Sequence, residues 1–567
     1  MKRFSKTPGL GLALTMVLLL VISIPVLAAD GEQPRAGSLT TQDATITVWH
    51  GTTQNFGVHG DPQLWINILG NVQGADRLEY SLNGARYVDI ARAGGSRASM
   101  PALEDAIWHP GGLAEAPVPE DGLGALDPQV QGPAEVAVTA SRRLISPGDF
   151  NIEINPADLL PGENTVLIRP NQDNQLVETV TVNYAAGNTW PLPYTIDWSQ
   201  VSDIADVAQV VDGQWQLDGD GIRPVVVGYD RVVAMGDLEW QDYDVLVPIT
   251  IHEFPQPDVG GVGVVARWLG HFQVDAEQPG AGWWNIGAYG LWRNRVEDQD
   301  RSKLWMYTGH YDIVKDESGF MIDPGVPYYF RMRVQTKKAG DGGFYSFRVW
   351  EVGEPEPSAW TFEVQDIKPV GWQPGDPRES PTSGSVLLVA HEVDATFGDL
   401  VIRPILDFDV TTAGNGSVKT TPELAGASDA YLYGDQVRLE AQAEPGYLFA
   451  GWSGGLTGSQ NPVTLTLTAD TAVVATFGLP RSLDITIEGQ GSVARDPDLQ
   501  EYGQGAVVEL RPIPEPGWGF IGWSGPNGDE VEASGGGTWS LLIDGDKMVT
   551  ALFNPSRIFL PVVNRSR

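Results

Sequence analysis

The C-terminal part of the chain is written twice, and that repeat limits the fold more than any other feature. Gly414-Asn-Gly-Ser-Val418 with Pro422 returns as Gly489-Gln-Gly-Ser-Val493 with Pro497. Glu444-Pro-Gly-Tyr-Leu-Phe-Ala-Gly-Trp-Ser-Gly454 returns as Glu515-Pro-Gly-Trp-Gly-Phe-Ile-Gly-Trp-Ser-Gly525, and Asp470 to Phe477 returns as Asp546 to Phe553. The offsets are 75, 71 and 76, so the copies differ only by loop insertions. A fixed period of this size marks one supersecondary unit used twice. Residues 406–479 and 480–555 therefore read as two small β modules.

The repeat resembles the divergent internalin-B-type B-repeat of bacterial surface proteins, and Gly-Trp-Ser-Gly carries the resemblance in both copies. It implies a small β-grasp-like module. Phe449 with Trp452, and Phe520 with Trp523, read as core aromatics beside a glycine turn, with sugar stacking the weaker reading.

At 567 residues the chain has room for further domains. Its 67 glycines, 41 prolines and 19% charged residues suit short strands joined by turns rather than long helices. Residues 1–29 read as a secretory signal peptide, with Lys2, Arg3 and Lys6 ahead of an apolar run that ends at Ala28-Ala29. Removing those three cations takes the formal charge from −37 to −40. Such a surface repels nucleic acid and anionic headgroups. No second apolar run reaches membrane length, so the mature chain is expected to have no transmembrane span, and to be secreted or held at the cell surface. With no cysteine, disulfides, thiol catalysis and cysteine metal sites are excluded.

Residues 30–44 read as a flexible lead-in. Residues 45–187 hold alternating runs such as Leu64 to Ile68, an Asn83-Gly84 hairpin turn, and the strands Asn164 to Ile168 and Leu176 to Tyr184. This spacing predicts a β-sandwich. Gly162 to Val166 with Val180 to Tyr184 resembles the closing strands of immunoglobulin-like modules. Residues 94–138 break the pattern and read as an inserted loop. Ala185-Ala-Gly-Asn188 reads as a hinge, and 556–567 as a C-terminal tail with an apolar centre and basic flanks.

The central stretch, 188–405, is also strand-rich. Alternation puts Val245, Val247, Ile249 and Ile251 on one face, with Asp244, Thr250 and His252 on the other. Likewise Tyr328, Phe330, Met332 and Val334 oppose Tyr329, Arg331, Arg333 and Gln335. Trp240 to Val245, Phe347-Arg-Val-Trp350 with Glu354-Pro-Glu-Pro357 and Trp360, and Phe397 to Ile402 resemble concanavalin A-like (laminin-G-like) jelly-roll domains. That family includes lectins, carbohydrate-binding modules, glycoside hydrolases and polysaccharide lyases, so it names a fold and not an activity. The whole chain is thus expected to be all-β and multidomain: an immunoglobulin-like sandwich, a jelly-roll sandwich and two repeats.

Flat indoles beside polar side chains suit sugar rings. Trp283, Trp284, Trp292 and Trp305 are therefore the candidate platforms. Asp244, His252, Arg331 and Arg333 are the candidate polar partners, if both strand faces line one groove. Trp268 reads as core. The Glu-x-Asp-x-x-Glu pattern of retaining glycosidases is absent, because Glu239, Asp242 and Asp244 do not share a face. A histidine strand, an arginine strand and a tyrosine (His252, Arg331/Arg333, Tyr307/Tyr311) echo jelly-roll lyases faintly. By the same resemblance Asp399 or Asp394 would hold a structural Ca2+; otherwise no cofactor is expected. The leading expectation is non-catalytic binding of an extracellular polysaccharide or cell-surface glycan. A glycan-cleaving lyase or hydrolase and a structural adhesin or spacer that binds a protein are the alternatives. Whether the chain is an enzyme stays open, leaning against.

Overall fold

A computed structural model describes residues 44–75, 77–90, 143–170, 176–254, 260–272, 279–280, 282–283, 287–294, 304–308, 313–316, 318–336, 343–365, 381–424 and 429–556. The signal segment 1–29, the lead-in to residue 43, the inserted loop 94–138, Trp284, Tyr311 and the tail from 557 lie outside the described residues. Within them the chain is strands, turns and short 3-10 turns, and no helix is long and apolar enough to cross a membrane.

The first module is a sandwich of a three-stranded and a five-stranded sheet. Phe150, Ile152, Val166, Ile168, Val180 and Val182 alternate into its core with no exposed surface. At the expected hairpin turn, Asn83 and Gly84 take φ of 49° and 75°. Both angles are positive, as a type I′ turn requires.

The central module stacks a seven-stranded sheet on a ten-stranded one, to which it gives nine strands and the first repeat the tenth, Tyr431–Leu432: the jelly-roll sandwich expected. The strand Tyr243–Glu253 puts Tyr243, Val245, Val247, Ile249 and Ile251 wholly inside. They pack with Phe330, Met332 and Val334 from Pro327–Thr336, and with Val262, Val264, Val386 and Leu388 from the opposing sheet.

The expected hinge is instead an anchored seam. The Asn188 amide donates to the Gly57 and Val58 carbonyls. Deeper in, Arg143 of the first module holds Asp212 of the second through Nε at 2.9 Å, and Glu153 through Nη1 at 2.6 Å. These three side chains are only 3%, 1% and 2% exposed. Burial pushes the Asp212 carboxyl up to about 6, against the pull of Arg143. Charges this deep persist because each is multiply bonded; Asp212 also accepts from the Asn151 amide at 3.0 Å.

In the first repeat Phe408–Ala413 lies parallel to Thr471–Gly478, which pairs antiparallel with Leu448–Gly454. Leu483–Glu488, Lys547–Pro555 and Trp518–Ser524 do the same in the second. Parallel pairing of first and last strands is the β-grasp-like feature expected. The joints repeat too. The strand Leu400–Leu406 leaves the sandwich and pairs with Tyr431–Leu432, and the Tyr433 N–H donates to the Pro404 carbonyl at 3.1 Å; in the second copy Pro480–Arg481 pairs with Tyr502–Gly503, and the Gln504 N–H donates to the Leu479 carbonyl of the first at 2.8 Å. Tyr431 and Tyr502 donate to the Pro422 and Pro497 carbonyls, each at 2.9 Å.

Candidate functional site: a guanidinium cluster under an indole

The outer face of the ten-stranded sheet gathers most of the charged chemistry. Asp244 is in register with Arg333, Leu246 with Arg331, Arg331 with Arg348, and Arg333 with Ser346. Alternation therefore brings Asp244, Arg331, Arg333, Ser346 and Arg348 together from three neighbouring strands. Like charges directly opposite across a ladder destabilise a sheet unless compensated. Asp244 compensates, accepting from Arg331 Nε at 2.9 and 3.1 Å and from Arg333 Nε at 2.8 Å. A second carboxylate, Glu356, arrives from the turn after Gly343–Glu351. Its Oε1 accepts from both Arg331 Nη1 and Arg348 Nη2.

Trp360 closes the cluster. Its ring centroid lies 4.0 Å from the Arg348 guanidinium carbon, 5.0 Å from that of Arg333 and 6.0 Å from that of Arg331. Guanidinium over indole is an attractive, oriented contact. The indole is half-buried and the arginines are buried. Arg348 Nε, Ser346 Oγ and Gln335 Oε1 are buried with no hydrogen-bond partner among the described residues. Burial lowers the Arg348 guanidinium from its ordinary value; Glu356 opposes this, and Arg331 and Arg333 add to it. Exposed Glu363 stands opposite Ser346 on the edge strand.

Asp244, Arg331 and Arg333 thus lie together, as alternation predicts. His252 does not join them. It sits six residues beyond Leu246 on the same strand, roughly 20 Å along it. There it bonds Thr396 Oγ1 at 2.7 Å, and Thr396 bonds Asp218 at 2.8 Å. Tyr307 lies on the other sheet and Tyr311 lies outside the described residues, so among the described residues the lyase-like set is not brought together.

The indoles correct the sequence reading further. Trp292 is core, 1% exposed, its Nε1 donating to the Phe320 carbonyl at 3.1 Å. Trp305 lies on the outer side of the seven-stranded sheet but is buried, packed with Trp268, Tyr289 and Tyr307. Arg293 and Lys315 lie 4.8 and 4.4 Å from its ring centroid. Trp283 pairs with His271 in a two-residue strand; its side chain is outside the description.

Of the two aspartates expected at a calcium site, Asp394 does not fit: it is bidentate to Arg223, whose guanidinium occupies the place a cation would take. Asp399 accepts the Trp198 N–H through Oδ1 at 2.9 Å. Among the described residues no three metal-capable side chains gather.

Arg348, Glu356 and Trp360 were missed as site residues; sequence reading used them only as fold markers. Arg348 alternates onto the arginine face, and that was the available signal. A separate recess of about 570 Å3, its open mouth included, lies at the module seam, lined by His50, Phe56, His59, Trp190 and Gln209. It has no charged lining side chain, and the Gln54 and Gln209 amides are spent on backbone carbonyls, so the guanidinium cluster is the stronger candidate.

No curated protein matches the chain. Solved structures that resemble it include a carbohydrate binding module, CBM66, from Bacillus subtilis, at 10% identity, covering 34% of this chain and 94% of that one, with a TM-score of 0.22. Another is the metal-free carbohydrate recognition domain of Emp46p, at 10% identity, 37% and 95% coverage and a TM-score of 0.26. A third is a Bacillus subtilis protein of unknown function with a galectin-like fold, at 12% identity, 37% and 94% coverage and a TM-score of 0.26. Both C-terminal modules match the divergent InlB B-repeat domain family, at residues 406–479 and 482–557.

Proposed function

We propose that the central sandwich binds an extracellular glycan without cleaving it, and that the protein is exported, with the repeats as its spacer. The observation that carries the binding reading is Trp360, an indole half-open to solvent over the buried guanidiniums of Arg331, Arg333 and Arg348. An apolar ring face beside fixed hydrogen-bond donors is what a pyranose needs. The separation of His252 and Tyr307 from the arginines favours binding over elimination chemistry. Export rests on the cationic and apolar pattern of residues 1–29. The spacer reading rests on the repeated joint: the Gln504 N–H of the second copy donates to the Leu479 carbonyl of the first as the Tyr433 N–H of the first donates to the Pro404 carbonyl of the sandwich.

The test is electrophoretic retardation of the intact chain by a panel of soluble polysaccharides, with parallel assay for shortened or unsaturated products. Retardation without products is expected, and Trp360→Ala should weaken it about tenfold, one stacking contact's worth. Products would overturn the non-catalytic reading. Absence of retardation by any glycan would overturn binding.

A further inference from the structure

We infer that the guanidinium cluster takes the carboxylate of an acidic sugar, and that Glu356 fills that place while the site is empty. This rests on the glycan-binding reading. The two carboxylates of the cluster are held very differently. Asp244 is 2% exposed and, as the second residue of Tyr243–Glu253, is paired on both sides, with Arg333 and with Arg403. Glu356 belongs to a turn in which every residue from Gly353 to Ala359 is exposed, and its own side chain is 35% exposed. A single oxygen of Glu356 serves both Arg331 and Arg348. Those residues face each other across the ladder, so their planar forks converge on one acceptor. A free carboxylate with two oxygens matches two such forks better, because guanidinium–carboxylate pairing is bidentate by geometry.

Unspent polar atoms at the same spot point the same way. Arg348 Nε and Ser346 Oγ are donors with no partner among the described residues, in residues 8% and 0% exposed. A buried unmet donor is costly, and the cost is recovered only when an acceptor arrives. Hydroxyl and carboxylate oxygens of a uronic acid residue supply such acceptors, and its C–H face suits the Trp360 indole. Displacing Glu356 breaks few ties. The turn is held by the Glu354 N–H to Glu351, the Thr361 N–H to Phe347, and Arg348 to the Pro357 carbonyl at 2.6 Å. The net charge of −37 opposes an acidic polymer at long range, so attraction must be local. It should be measured at about 0.15 M salt, where fields beyond roughly 8 Å are screened.

The experiment measures binding of the intact chain to polygalacturonate, to the same polymer with its carboxyls reduced, and to dextran sulfate. Polygalacturonate should bind about tenfold more tightly than its reduced form, the worth of one charge-assisted bond. Glu356→Gln should tighten binding of the acidic polymer, and more than that of the reduced one. This is a gain that impaired folding cannot mimic. Arg348→Gln should erase the preference. Equal binding of acidic and reduced polymers, tighter binding of dextran sulfate, or no gain with Glu356→Gln would overturn the inference while leaving glycan binding standing. If none of the polymers binds, nor any neutral glycan, both readings fall.

Discussion

Gly451 and Gly522, the first glycines of the two Gly-Trp-Ser-Gly copies, stand at φ of 147° and 149°, beside register slips in their strands. Only glycine rests there without strain. A Cβ on Gly451 would lie 3.1 Å from the Gly458 carbonyl oxygen, whereas one on Gly522 meets nothing within 4 Å. Gly522→Ala thus isolates the backbone cost, expected at about 1–3 kcal/mol, and Gly451→Ala should cost more; urea unfolding of each variant checks both. Residue roles followed sequence where one strand decides them. Tyr243 to Ile251 and Tyr328 to Val334 showed their faces by alternation alone. Trp292 did not, because a tryptophan beside glycines and charges reads equally well as a platform or as core. Its burial decides, with the Phe254 ring packed against it at 5.4 Å between centroids and its Nε1 bonded to the Phe320 carbonyl.

Between strands, sequence gives faces but not registers. Asp244, Arg331 and Arg333 were legible as polar-face residues. Their meeting depended on a pairing that puts Arg333 opposite Asp244, and His252 was lost by the same pairing. Glu356 and Trp360 come from a connection whose path no periodicity encodes. The cluster should also support the sheet. Asp244 is the buried carboxylate shared by Arg331 and Arg333. Asp244→Asn should destabilise the chain by about 3–5 kcal/mol, the usual cost of breaking a buried pair, read as a lowered urea midpoint. A midpoint equal to wild type would show that the network contributes nothing to the fold.

Across the molecule, the seam between the two sandwiches makes stability sensitive to acid. Burial holds His50 below the ordinary histidine value and His271 well below it; nearby Arg143 adds to the shift of His271. The unfolded chain takes up protons that the folded one refuses. Their contribution is therefore complete above the unfolded value of about 6.5 and shrinks as pH falls, by up to about 1.4 kcal/mol per pH unit for each histidine. Asp212, raised to about 6, acts in the opposite direction, favouring the fold as pH falls through that value. Asp61, raised by its own burial, acts in the same direction as Asp212, so the histidine contribution is read from the difference between wild type and a histidine variant. The urea midpoint of wild type should fall relative to that of His271→Asn between one unit above and one unit below about 6.5.

The parallel pairing of first and last strands also sets how each repeat meets tension. Drawn apart by its two ends, a copy pulls Phe408–Ala413 and Thr471–Gly478 in opposite directions along their length. Six residue pairs, Phe408 with Thr471 through Ala413 with Thr476, then bear the load together instead of parting in turn like a zip. The second copy presents the same geometry from Leu483 with Lys547 to Glu488 with Leu552. In single-molecule stretching each repeat should give way in one abrupt step at high force. A gradual peel at low force would show that these strands do not carry the pull. Links of this geometry resist a pull by loading whole strands at once.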